Sequence, residues 1–291
     1  MFTLPNITTG LNLLSGCASI IFALGGRLEL AVLFIFLAAI FDFLDGMLAR
    51  ALKLSGELGK QLDSLADMVS FGFAPGIIVF VLFILGGAMD IFVQQGGSMQ
   101  NFWMNGTFGY NISYWIQSYF NDLLGNQSAL YPPHFKGWYL FLPFVGFIIP
   151  FFSLFRLAKF NLDTRQTTSF IGLPTPANTI FFASFALMLW DGFGTDDWRA
   201  TLSTVLIQDQ VLMTLTVVFS VLLVSELPLF SLKFKSLKFK ENGLRYIFLL
   251  ISLILIALLL VWALPIIILL YLILSIIDNY LIKNRKHEIQ S

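Results

Sequence analysis

The stretch LELAVLFIFLAAIFDFLDGMLARAL, residues 28–52, followed after a short break by KQLDSLADMVSFGFAPGIIVFVLFIL, residues 60–85, decides what kind of fold this chain adopts. Each run is long enough for a helix to cross a hydrocarbon core of roughly 30 Å, which takes about 20 apolar residues at about 1.5 Å each. Yet each carries two carboxylates near one end: Asp42 and Asp45 in the first, Asp63 and Asp67 in the second. A charge inside a membrane helix is costly unless it is paired, hydrated or bound to metal, so these two helices read as a functional element.

The rest of the chain agrees with a membrane setting. Of 291 residues, 57% are hydrophobic and 12% charged, with 32 Phe and a mean hydropathy of +0.83. That balance excludes an ordinary soluble domain. Further apolar runs at 6–24, 137–160, 170–190 and 211–230 predict four more spans. The run 246–282 is too long for one crossing and predicts a hairpin of two, divided at Pro265. The expected architecture is an all-α integral membrane bundle of about eight transmembrane helices with both termini cytoplasmic, forming a single membrane domain over 1–291. Within it the catalytic core covers about 4–230, an external insertion 88–136, and a C-terminal helical hairpin 244–283.

Positive charge supports this topology, because Lys and Arg favour cytoplasmic span ends. Arg50, Lys53, Lys60, Arg156, Lys159, Arg165, Lys233, Lys235, Lys238, Lys240, Arg245, Lys283, Arg285 and Lys286 fall inside, and Arg27, Lys136 and Arg199 outside, which is 14 against 3 of the 17 basic residues. The net charge is zero, and no nucleic-acid partner is expected. Cys17 is alone, so no disulfide framework exists. The first span follows no basic n-region and is expected to be retained. The aromatic and polar residues of 88–136, Trp103, Trp115 and Tyr119 among them, predict a loop against the bilayer interface. The alternation of Leu and Phe with Lys over 229–240 predicts a strip anchored at the inner leaflet by anionic lipid or by snorkelling lysines.

Helical spacing organises the carboxylates. Asp42 and Asp45 continue through Gly46, Ala49 and Arg50 on one face, and Asp63 and Asp67 lie on another with Gly59 one turn before and Ser70 nearly one turn after. The connection is short, so the helices are expected to be antiparallel neighbours with the two stripes facing across a polar chamber. Four bare carboxylates repel, and hard divalent cations, Mg²⁺ or Mn²⁺, are the natural remedy for an oxygen-only donor set. His134 and His287 are far from it in sequence. Two cations about 3.5 to 4 Å apart would clamp a phosphoryl group. Gly46, Ala49 and Gly59 allow close approach of a nucleotide, and Arg50 offers a planar fork for phosphate.

The spacing Asp42-x2-Asp45-Gly46-x2-Ala49-Arg50-x8-Gly59-x3-Asp63-x3-Asp67 resembles the complete signature of the CDP-alcohol phosphatidyltransferase family. Eight fixed positions match by chance on the order of 10⁻¹⁰ per window at typical residue frequencies. The resemblance implies that Asp42, Asp45, Asp63 and Asp67 hold two divalent cations, that Asp67 is also the general base, and that Gly46, Ala49, Arg50 and Gly59 contact the CDP moiety. The segment Leu62 to Gly72 with Pro75 resembles the membrane-embedded class of phosphatidylserine synthases. So do Pro5-Asn6-x2-Thr9-x2-Asn12-x3-Gly16, Arg156-Leu157-Ala158-Lys159-Phe160-Asn161 and Gly172-Leu173-Pro174. Lys159 stands where that class usually has Arg.

The implied reaction moves the phosphatidyl group of CDP-diacylglycerol to the hydroxyl of L-serine, and the implied assembly is a homodimer in contact with membrane lipid, in a bacterial inner membrane with the site facing the cytoplasm. Glycerol 3-phosphate or inositol phosphate are alternative acceptors, and an ion-coupled transporter is the reading from another class. Arg156 could bind the acceptor carboxylate or serve as a topology charge, with Asn161 nearby. Asn6 and Thr9 could contact the nucleotide or cap a helix. Ser64 could touch the acceptor or pack between helices, the latter being open to Ser70 as well.

Overall fold

The computed structural model describes residues 2–54, 56–97, 102, 107–126, 134–162, 170–230 and 239–290. Trp103, Arg165, Lys233, Lys235 and Lys238, singled out above, lie outside them. The described fold is all-α apart from one pairing of two-residue strands. Helix α1 (Leu4–Leu24), with Pro5 in its first turn where a missing N–H is harmless, turns back through Gly25 and Gly26 into α2 (Leu28–Ala51) and packs along it. Helix α3 (Glu57–Asp67) passes through a π-helical turn, Met68–Phe73, directly into α4 (Ala74–Gln94).

The remainder wraps this unit. Helix α5 (Phe108–Leu123) precedes two 3₁₀ turns, Gly137–Leu140 and Leu142–Phe147, and α6 (Ile148–Leu162). Strand β1 (Phe170–Ile171) leads into α7 (Thr175–Gly192), then α8 (Trp198–Leu206), α9 (Asp209–Val224) and strand β2 (Pro228–Leu229). The strands are antiparallel, with Phe170 opposite Leu229 and Ile171 opposite Pro228. Helices α10 (Phe239–Leu259) and α11 (Ala263–Gln290) close the chain.

Helix α4 is the hub. Every residue from Ala74 to Met89 is buried, as expected of a helix that is apolar all round and sits inside a bundle. The most apolar window of 57–94 is 83% buried, against 17% for 242–279, so the C-terminal helices are peripheral and present Leu253 and Leu258 outward. Those exposed apolar faces suit lipid, not water. Cys17 is also exposed, on the outside of α1.

Among the described residues, five helical stretches are long and apolar enough to cross a membrane, or six if α8 and α9, bent by 62°, count as one broken span. The expected count of eight is not reached on length and composition. Helix α7 is not among the five: its first turns are polar, with Thr175, Asn178 and Thr179. The C-terminal run does fold back, since the rings of Phe248 and Tyr271 lie 5.9 Å apart, but its division comes at the 3₁₀ turn Leu260–Trp262, where Leu260 has φ +50°. Pro265 instead sits in the first turn of α11. The external segment is not a loop on the bilayer surface throughout. Helix α5 buries Ile112, Trp115, Ile116 and Tyr119, and the Tyr119 hydroxyl donates to the Leu140 carbonyl at 2.7 Å.

Candidate functional site

Helix α1 packs against both α2 and α3, and its inward face is polar: Thr8, Thr9, Asn12, Ser15, Gly16 and Ser19 are all buried. This face meets the carboxylates. The Thr9 hydroxyl donates to Asp45 Oδ2 at 2.6 Å, a length typical of a charge-assisted bond. One turn on, the Asn12 amide donates to Asp67 Oδ1 at 3.0 Å. Thr3, not Asn6 or Thr9, holds the N-cap position of α1.

Asp42, Asp63 and Asp67 each offer an oxygen within 4.8 Å of the others. The two stripes predicted on separate helices therefore do converge. Asp45 is absent from that trio and sits buried against Thr9. At an effective dielectric of about 20, two unit charges at this spacing repel by roughly 3 kcal/mol per pair, so the bare trio is a strained arrangement. The donor set fits a hard divalent cation. It is all carboxylate oxygen, and Asp63 Oδ1 is buried without a hydrogen-bond partner among the described residues.

Beside the carboxylates lies a cleft of about 250 Å³. Asn6, Thr9, Gly46, Ala49, Arg50 and Gly59 all line it, together with Asp45, Asp63 and Lys60. A side chain at Gly59 would come within 3.5 Å of Asn6 Oδ1, so glycine there keeps the mouth open between α1 and α3. Lys60, a topology charge by sequence, also reaches across the rim. It donates to the Asn161 carbonyl at 2.8 Å, while the Asn161 amide donates to Ser64 Oγ at 2.7 Å, which ties the end of α6 to α3 at the rim.

Arg156 is elsewhere. It is buried, does not line the cleft, and donates to the carbonyls of Leu173 at 3.2 Å and Gly172 at 3.5 Å, with its guanidinium over the Phe160 ring. Gly172 has φ +79°, and a side chain there would meet the Leu223 and Ser225 carbonyls at 2.7 Å, so only glycine admits this turn. Lys159 makes an exposed ion pair with Glu226 at 3.4 Å. Such a pair contributes about 0–1 kcal/mol.

The π-turn immediately after Asp67 was not foreseen. Ser70, within it, is fully buried, bonds back to Ala66, and packs against Gly16 of α1, one turn beyond Asn12. A π-turn strains the backbone hydrogen-bond ladder. Thr179 of α7 donates to the Phe71 carbonyl at 2.8 Å and helps satisfy it. A threonine in the polar start of α7 was the available sequence signal, but nothing named its partner.

A family model described as CDP-alcohol phosphatidyltransferase matches residues 2–103. The chain is 29% identical over 187 residues to an archaetidylserine synthase of Methanothermobacter thermautotrophicus, covering 63% of this chain and 58% of that protein. It is 28% identical over 187 residues to a CDP-diacylglycerol–serine O-phosphatidyltransferase of Bacillus subtilis, covering 63% of this chain and 71% of that one. With the enzyme of the same name from Saccharomyces cerevisiae it shares 47% identity over 81 residues, 25% of this chain and 29% of the yeast protein. The match thus spans less than two thirds of the archaeal and yeast relatives. The family-model segment takes in α1 to α4 and with them all four aspartates.

Proposed function

We infer that the protein transfers the phosphatidyl group of CDP-diacylglycerol to the hydroxyl of L-serine, giving phosphatidylserine and CMP. The observation that carries the reading is the convergence of Asp42, Asp63 and Asp67 beside a cleft lined by Asn6, Thr9, Gly46, Ala49, Arg50 and Gly59. The names of the Bacillus and yeast relatives point to serine as acceptor. In this reading Arg50 and the small residues of α2 and α3 hold the cytidine diphosphate, and Asp67 takes the proton of the serine hydroxyl. The freed oxygen bonds to the lipid-side phosphorus as the bond from that phosphorus to the CMP oxygen breaks. The Asn12 bond holds Asp67 for this task.

Asp42, Asp63 and Asp67 would hold divalent metal, with Asp45 completing a two-ion set. When bound, Mg²⁺ or Mn²⁺ supplies charge neutralisation for the transferring phosphoryl group and the departing CMP. Eight crossings with cytoplasmic termini follow if α7, the bent pair α8–α9 and both arms of the C-terminal hairpin each span the bilayer; the 14 to 3 division of basic residues supports this. The site then faces the cytoplasm, as expected for a bacterial inner-membrane enzyme that meets free serine and a membrane-held donor. The resemblance extends to a homodimer with one site per protomer.

Purified protein offered CDP-diacylglycerol with serine, glycerol 3-phosphate or inositol phosphate, with and without Mg²⁺ or Mn²⁺, tests the reading. Metal-dependent release of CMP with phosphatidylserine as the product is the expected result. Another lipid product would leave the chemistry and overturn the acceptor; CMP release that survives chelation would overturn the metal role.

A further inference from the structure

Asn12 does more than its bond to Asp67 requires. Its amide nitrogen must be the end that faces the carboxylate, because a carbonyl oxygen there would meet another acceptor. That fixes the orientation of the side chain and turns Oδ1 the other way. Asn12 is fully buried, and Oδ1 has no hydrogen-bond partner among the described residues. A buried carbonyl oxygen without a donor destabilises a fold, and leucine would fill similar volume without needing a partner at either end. Thr9, one turn earlier on the same face, has its hydroxyl engaged. Asn12 alone on this face presents one satisfied end to a carboxylate and one unsatisfied end beside it.

The chemistry of this corner is one-sided. Asn12 Oδ1 only accepts, and so does the Asp67 carboxylate bonded to the other end of the amide, with Asp42 and Asp63 beside Asp67. A group entering here must bring donors. An amino alcohol brings two on neighbouring carbons, a hydroxyl for Asp67 and an ammonium for Asn12 Oδ1. A phosphorylated alcohol brings negative charge to the same place and finds no donor on Asn12.

We propose that Asn12 is a specificity-determining residue for the acceptor: its amide positions Asp67 for the hydroxyl proton, and its Oδ1 takes a hydrogen bond from the acceptor ammonium. This rests on the reaction inferred above and names the group that distinguishes serine from anionic alcohols.

The test compares L-serine with 3-hydroxypropanoate, which differs by lacking the ammonium, in the full-length protein with CDP-diacylglycerol as donor. In Asn12→Ala the ratio of kcat/KM for the two acceptors should fall at least tenfold from wild type, read as a tenfold rise in serine KM if the analogue is not turned over. KM for CDP-diacylglycerol should stay within threefold. Asn12→Asp keeps an oxygen in place but loses the donor to Asp67, so kcat should drop while the ratio holds within threefold. A ratio unchanged in Asn12→Ala, or lost equally in both variants, overturns the proposal. If Asn12→Ala does not fold, Asn12→Ser carries the same comparison. A wild-type protein that ignores serine and uses a phosphorylated alcohol overturns both this proposal and the acceptor reading; a serine-using wild type with an unaltered Asn12→Ala ratio overturns this one alone.

Discussion

Replacing Gly16 by alanine should disable the site from a distance. A Cβ at Gly16 would lie 2.8 Å from Ser70 Cα and 3.0 Å from Ser70 N, where ordinary contact begins at 3.4 Å. The obstacle is backbone in the π-turn, which cannot rotate away, so α1 must retreat by about 0.6 Å in a close-packed interior. Asn12 is one helical turn away on the same face, and moving it by that much stretches its 3.0 Å bond to Asp67 beyond useful length. Overpacking of this kind costs about 1–3 kcal/mol of stability. Loss of a hydrogen bond to a charged group adds about 1.5–3 kcal/mol at the catalytic carboxylate, equivalent to roughly a 10- to 100-fold loss of rate. Thermal unfolding in detergent and CMP release measure the two effects separately. Gly10, also on α1, has nothing within 4 Å of its would-be Cβ, so Gly10→Ala is the control and should be neutral or slightly stabilising. A Gly16→Ala protein that melts and turns over like Gly10→Ala would refute the strut between α1 and the π-turn.

Three further outcomes are expected. Asp67→Asn should abolish phosphatidyl transfer while leaving the melting profile of the wild type, and activity clearly above background would remove Asp67 as the base. Thr179→Val leaves the buried Phe71 carbonyl without its side-chain donor and should lower stability by about 1–3 kcal/mol, whereas Thr179→Ser should restore most of it; equal melting temperatures for the two would show that this bond does not secure the π-turn. Burial pushes the Tyr119 phenol up to about 12, above an unfolded value near 10. Its neutral form is favoured in the fold, so that contribution is complete below about pH 10 and is lost as pH rises towards 12. Ultraviolet titration comparing wild type with Tyr119→Phe should show one late-ionising tyrosine missing from the variant.

How much of this was legible in the sequence depends on the range of the interaction. The spans 28–52 and 60–85 appear as α2 and α3–α4 because hydrophobic runs and helical spacing are local properties. The same spacing put the carboxylates on facing stripes, and Asp42, Asp63 and Asp67 do meet. Periodicity gives a face, though, and not the neighbour that occupies it: Asp45 points to Thr9, whose partner lies 36 residues away. The π-turn inserts a register shift that an unbroken apolar run cannot reveal. Helix α5 was read as an interfacial loop because its aromatic residues suit a headgroup layer as well as they suit packing around Phe80. Asn12 could be seen as a polar residue within a membrane helix, but its hydrogen-bond partner could not.

The register shift also sets a timetable for synthesis. The Thr9–Asp45 and Asn12–Asp67 links close loops of 36 and 55 residues, so the carboxylates and their helpers can gather as soon as the first four helices leave the translocation machinery. Thr179 arrives 108 residues after Phe71. A nascent chain therefore passes through a stage in which its reactive centre is assembled but not yet bolted, and the later helices act as the latch.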